Sequence, residues 1–371
     1  MKCKLCLFII YVVFSIGASA QTLTMPPDGG NKKAVVGERI GITDVTIHYD
    51  RPAVKGREGK IWNGLVHTGY KDLGFGTSKA APWRAGANEN TTITFSTDVM
   101  VEGKPLKAGT YGFFIAMGES NDATLIFSNA NASWGSFFYD PKEDALRINV
   151  KTVALNETVE RLKYEFMDET ENSAVLALLW EKLKIPFKVE VDYVKTQMES
   201  FRNELRSDKG FNVDNWVAAT QFAVEHNTGL DEAMLWSDYS INGQFFGQKN
   251  FKTLSSRASL LSKMGKTNEA DALMKQALPM GAMLDLHQYG RMLLAEKKPK
   301  EALEVFKLNA QKNPNNFTTY MGLVRGYSAN GDYKNALKTA KLALPLAPNA
   351  QNKDAVSEMI KKLENGKDVN Q

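Results

Sequence analysis

The apolar residues of this chain recur at every second position from Asp44 to about residue 192 and at helical spacing from about residue 193 onward. This change of period constrains the fold more than any other feature. Alternating apolar residues bury one face of a strand, spacings of three and four bury one stripe of a helix, and neither pattern suits the other element. In DVTIHYD, Val45, Ile47 and Tyr49 share a face; in TTITFS, Ile93 and Phe95 do; in GTYGFFIAM the set is Tyr111, Phe113, Ile115 and Met117. ATLIFS is a short apolar run, and ALRINV, RLKYEF and KIPFKVEV repeat the alternation. Short strands without intervening helices predict an all-β sandwich over residues 21–192. Pro186 removes a ladder donor, which predicts an edge position for its strand.

The rest of the chain predicts an all-α domain. Residues 193–210 read as a connecting helix ended by Gly210, and residues 211–365 as helical repeats, clearest over 251–350. Ala302, Phe306 and Pro314 recur 34 residues later as Ala336, Ala340 and Pro348, with Gly331-Asp332-Tyr333 at the inter-helix turn. Leu261, Gly265, Ala270, Met274 and Ala277 follow the same template. Small alanines let two antiparallel helices approach closely, and the prolines end second helices. These positions resemble the tetratricopeptide repeat. The middle copy departs from it, with Lys297 in place of the turn glycine and Asn309 in place of a small residue. NWVAATQFAVEH with LDEAMLWSDYSI reads as a divergent pair, residues 354–364 as a polar capping helix, and residues 366–371 as a disordered tail. Stacked helix pairs form a concave groove, which predicts a protein partner held there.

The opening MKCKLCLFIIYVVFSIGASA has a basic start at Lys2 and Lys4, an apolar run from Leu5 to Ile16, and small residues at Ala18-Ser19-Ala20. Residues 1–20 are therefore expected to be a secretory signal peptide cleaved before Gln21. The run is too short to span a bilayer comfortably and no later stretch could, so no transmembrane anchor is expected. Both cysteines, Cys3 and Cys6, lie in this leader, so the expected mature chain lacks thiol nucleophiles, thiolate metal ligands and disulfides. The 46 Lys and Arg residues, two of them in the leader, nearly balance 42 Asp and Glu, which gives no sign of a nucleic-acid partner.

YDRPAVKGR, PWRAGANENTTITFS, KAGTYGFF, WGSFFYDPKEDALRINV and LKIPFKVEV, in this order across roughly residues 22–192, resemble a family of secreted bacterial envelope proteins known only as a domain of unknown function. The resemblance implies an exported protein, periplasmic or associated with the outer envelope. It implies no catalytic residues, because the family has none assigned.

Chemistry is sparse. The four histidines, His48, His67, His226 and His287, are scattered singly without HExxH spacing, so no metal site is expected, and nothing points to a cofactor. There is no GxSxG elbow. The densest polar cluster is Trp83, Arg84, Asn88 and Glu89 in PWRAGANEN, with Asp50 and Arg57 in the loop DRPAVKGREGK. Arg57 and Arg84 are expected to face one another across a shared corner near Asp50 and Glu89. Two readings stay open there. The arginines pair with the carboxylates and brace two loops, or their forks receive an anionic or glycan ligand. Trp62, Trp83 and Trp134 either plug the end of the sandwich or stack on sugar rings. The leading expectation is a non-catalytic envelope protein with an interaction module. The alternatives are a glycan- or peptidoglycan-directed hydrolase using a carboxylate pair such as Asp50 with Glu89, and a glycan-binding module.

Overall fold

The fold is that of a computed structural model, which describes residues 30–371. The expected signal peptide lies outside the described residues. The chain divides into a unit ending at Tyr193 and a unit beginning at Val194.

The first unit is a sandwich of two antiparallel sheets. Its strands are β1 (Lys32–Ile40), β2 (Thr43–Arg51), β3 (Thr92–Phe95), β4 (Val99–Val101), β5 (Lys104–Leu106), β6 (Gly109–Met117), β7 (Asp122–Ser128), β8 (Asp144–Lys151), β9 (Val153–Met167) and β10 (Ser173–Glu190). One sheet runs β1-β2-β3-β6-β7-β8 and the other β5-β4-β10-β9. The residues that alternate inward in the sequence meet between them: Val45, Ile47, Ile93, Phe95, Phe113, Ile115, Ile148, Leu162, Tyr164, Ile185 and Phe187 are buried in one core.

Three features differ from the sequence reading. β1 gives no alternation because most of its residues are exposed; Lys32, Lys33, Glu38 and Arg39 mark a charged edge strand, which resists pairing with other chains. β6 is buried on both faces, since Phe114 and Ala116 join Ile126 and Tyr139 in a small second cluster. Pro186 is not on an edge strand. β10 lies between β4 and β9, but its pairing with β9 ends at Lys184 and that with β4 starts at Val189, so Pro186 sits where neither ladder needs its missing N–H.

The second unit contains ten helices among the described residues. α1 (Tyr193–Glu204) ends earlier than expected; a separate 3-10 turn (Asp208–Phe211) follows, and Gly210 folds back on the Leu205 carbonyl, where a Cβ would collide. The antiparallel pairs are α2 (Val213–Glu225) with α3 (Leu230–Asn242), α4 (Phe251–Lys263) with α5 (Thr267–Ala277), α6 (Met283–Ala295) with α7 (Pro299–Lys312), and α8 (Phe317–Ala329) with α9 (Tyr333–Ala343). α10 (Ala350–Glu364) closes the stack. Ala302, Phe306, Ala336 and Ala340 are fully buried at the helix contacts. A Cβ at Gly290 of α6, or at Gly322 or Gly326 of α8, would strike the Phe306 ring, so these glycines form the socket that seats it. Asn309 is buried but satisfied, its Nδ2 donating to the Met283 carbonyl at 2.8 Å. Residues 366–371 are not a loose tail: Val369 is buried, its N–H donates to Ser328 Oγ at 2.9 Å, and Ser328 Oγ donates to Asp368 Oδ1 at 2.7 Å. The polar composition concealed one apolar anchor and an aspartate with a specific partner.

Candidate functional site

The polar corner is built on the end of β2 and the segment that enters β3. Residues 84–91 fold over Asp50: a Cβ on Gly86 would lie 2.6 Å from Thr91 Oγ1 and 3.2 Å from the Asp50 carbonyl, so glycine is required for that approach. The Ala85 carbonyl accepts from the Tyr164 hydroxyl at 2.8 Å and from Thr91 Oγ1 at 3.2 Å, which ties the segment to the core. Asn88, in left-handed backbone, donates Nδ2 to Asp50 Oδ1 at 3.1 Å and accepts from Asn31 Nδ2 at 3.2 Å. Lys33, paired with Asp50 in the β1–β2 register, extends to Glu89 Oε1 at 2.9 Å.

Two carboxyl groups thus share one small space. Burial pushes the Asp50 carboxyl above its ordinary range, Asn88 pulls it down, and Glu89 pushes it up again. Lys33 holds Glu89 below its ordinary range, helped by the backbone and by Asp50. Of the two carboxyls, Asp50 therefore takes up a proton more readily than Glu89. Glu89 Oε2 is buried without a hydrogen-bond partner among the described residues.

The arginines do not behave as expected. Arg84 has no carboxylate partner among the described residues. Its Nη1 donates to the Asn88 carbonyl at 2.6 Å, and its guanidinium lies over the Phe137 ring, 5.0 Å from the centroid. Gly135 packs so closely on that guanidinium that a Cβ would overlap it. Burial holds Arg84 below its usual range, with no acid to offset it. Arg57 lies outside the group altogether: its Nε donates to the Val54 carbonyl at 2.9 Å and Nη2 to the Ala53 carbonyl at 2.6 Å. The shared-corner expectation is corrected in this respect. A guanidinium has five N–H donors, and neutral carbonyls can accept from them where the fork fits a turn.

Trp83 is a core residue. It stacks on Trp180 with centroids 6.1 Å apart and meets Trp62 edge-on at 5.7 Å. Trp134 is different, 56 % exposed beside Gly135. Sequence reasoning missed Lys33, Asn31 and Phe137. The first two stand at or beside an edge strand with no apolar pattern, and Phe137 lies in an irregular loop. The structure brings Asp50, Asn88, Glu89 and Arg84 into one hydrogen-bonded corner, leaves Trp83 in the core behind it, and sends Arg57 elsewhere.

The second candidate lies within the helical unit. A groove of about 1000 Å³ opens between α4 and α6, with α2 and the starts of α5 and α7 at its rim. α4 packs against α2 and α6 against α8, while α4 and α6 diverge from the contact of Phe251 with Tyr289, ring centroids 6.3 Å apart. α4 presents a polar face of Ser255, Ser256, Ser259 and Ser262; α6 presents Tyr289, Met292 and Leu293. Burial and the carboxylates of Glu296, Glu301 and Asp271 push the Tyr289 phenol up. Among the described residues no helix is long and apolar enough to cross a membrane, and no cluster of three His, Cys, Asp or Glu is placed to hold a metal ion.

No curated protein matches the chain. Among solved structures the chain is similar to YrrB, a TPR protein with an unusual peptide-binding site, at 16 % identity and a TM-score of 0.29, over 44 % of this chain and 84 % of that one. It is also similar to the APC/C hetero-tetramer Cut9-Hcn1, at 15 % identity and a TM-score of 0.29, over 46 % of this chain and 33 % of that one. MamA matches at 14 % identity and a TM-score of 0.26, over 46 % of this chain and 96 % of that one. Residues 31–189, which include the sandwich strands up to β10, match the family described as protein of unknown function (DUF2911).

Proposed function

We propose that this chain is an exported envelope protein whose helical repeats bind an extended segment of another protein, with the sandwich as a non-catalytic scaffold. The observation that carries the reading is the groove of about 1000 Å³ between α4 and α6, lined by side chains of both polar and apolar character. Grooves of this size and mixed lining suit an extended chain, whose backbone needs hydrogen-bond partners while its side chains need apolar contact. Export is supported by the charged, apolar and small-residue order of residues 1–20. The hydrolase reading is not favoured by its best pair, because Asp50 Oδ1 is held by Asn88 and Glu89 Oε1 by Lys33 in one small corner.

The test is selection of peptides from a random displayed library on the full chain, repeated on Ser259→Trp, which fills the groove. Peptides enriched by the native protein and lost with the variant are expected. Absence of enrichment, or enrichment indifferent to the substitution, would remove the reading. Export is checked separately by mass spectrometry of envelope-recovered protein, which should begin at Gln21; an intact Met1 form there defeats it.

A further inference from the structure

The repeats carry a second group of side chains that none of the contacts above employs. Ser259, Arg291 and Arg325 occupy equivalent positions in α4, α6 and α8, counted from the first residues Phe251, Met283 and Phe317. Equivalent positions in stacked helix pairs share one face of the stack. Ser259 lines the groove, so Arg291 and Arg325 continue its α4 face along α6 and α8. His287 stands one turn before Arg291 on α6, which packs beside α8.

The charges of Arg291 and Arg325 have no opposite charge beside them among the described residues, Arg291 being exposed and Arg325 half-buried, while His287 keeps a backbone hydrogen bond to Thr318. Among the described residues neither Arg291 nor Arg325 forms an ion pair or a side-chain hydrogen bond. Burial, with the charges of Arg291 and Arg325, holds the His287 imidazole below its ordinary range. Burial, with Arg291, does the same to Arg325. His287 Nδ1 is buried without a partner among the described residues, and its ring lies 5.8 Å from that of Phe306. A guanidinium that is more than half buried, repelled by a neighbour and unpaired is costly unless an anion arrives.

We propose that His287, Arg291 and Arg325 form a recognition site for an acidic side chain, an aspartate or glutamate on the extended partner segment. The charge complementarity selects the occupant. Two guanidinium forks bind a carboxylate with charge-assisted hydrogen bonds, and a basic or neutral segment would leave the repulsion in place. This site rests on the reading of the repeats as a partner-binding module and adds the chemical character of the partner.

The test uses fluorescein-labelled, C-terminally amidated peptides that alternate alanine with glutamate, glutamine or lysine, titrated by anisotropy into the full chain. Amidation leaves side chains as the source of carboxylate. The glutamate peptide is expected to bind at least about tenfold more tightly than the glutamine peptide, with affinity falling as salt rises. Arg325→Gln should weaken it about tenfold, and Arg325→Lys should recover only part, since lysine lacks the fork. Neither variant should lower the melting temperature, which separates loss of a site from loss of fold. Equal binding of glutamate and glutamine peptides overturns the site, as does unchanged binding by Arg325→Gln. Binding only by a free-acid form would move recognition to a chain terminus and overturn it too. Library peptides that bind in a Ser259→Trp-sensitive way without acidic residues would sink this site and leave the groove reading intact. Failure of every peptide to bind would sink both.

Discussion

Asp50 and Glu89 titrate in opposite directions because one is buried and the other is held by Lys33. The folded state keeps a proton on Asp50 from its ordinary value of 3.8 up to its raised value, so stability falls as pH rises across that window and stays lower above it. Glu89 acts oppositely, contributing stability above 4.5 that is lost as pH falls through its lowered folded value. An asparagine at position 50 keeps the acceptor for Asn88 and offers Glu89 an uncharged donor. Asp50→Asn is therefore expected to raise the melting temperature by about 2–4 °C at pH 8 and change it little at pH 4. A fall at pH 8 would show that the charge of Asp50 is not a cost. Arg84 calls for a smaller number than a buried ion pair would. Arg84→Ala removes the bond to the Asn88 carbonyl and the contact over Phe137, a loss of about 1–2 kcal/mol in denaturant titration. A loss of about 3–5 kcal/mol would reveal a carboxylate partner after all. The sequence favours a brace over a ligand contact at position 84 but leaves both open, because the partners that decide between them, a backbone carbonyl and an aromatic ring, lie in irregular segments.

Among the elements, the turn between α6 and α7 shows most directly how the repeat template acts. Gly265 and Gly331 adopt φ of +79° and +77° at the equivalent turns, and Lys297 is forced to +60° at its own. A non-glycine residue there is strained by about 1 kcal/mol. Lys297→Gly is thus expected to stabilise the protein by about 0.5–1 kcal/mol, read as a shift of the denaturation midpoint at constant slope. A destabilised variant would mean that the lysine side chain makes a contribution larger than the strain. Strands with one buried face are the ones legible in the sequence. β2, β3 and β8 bury one clean alternating set each, so periodicity exposes them. β1 buries almost nothing, and the β4–β5 hairpin is two short strands joined by Glu102 and Gly103 in left-handed backbone, too brief for any period to register.

At the scale of the whole molecule, each unit owns its core. The sandwich buries its aromatic and branched residues between two sheets, and the helical unit buries its own in clusters around Leu254, Phe306, Val324 and Trp236. Residues 194–371 alone are therefore expected to fold, with a helical circular-dichroism spectrum and a cooperative melt. A random-coil spectrum would show that the repeats depend on the sandwich.

What the sequence determined by itself was the division into two units, their classes and the helix-pair register, because those follow from local periodicity and from small residues that only close packing requires. The tertiary structure decided the rest. Whether Pro186 lies at an edge, whether residues 366–371 dock, and which acceptor takes the Arg57 and Arg84 forks all depend on groups distant in the chain. The opening between α4 and α6 and the unpaired cations of α6 and α8 are likewise properties of how helices stack. No single segment encodes that stacking, since each helix carries only its own share of the shared surface.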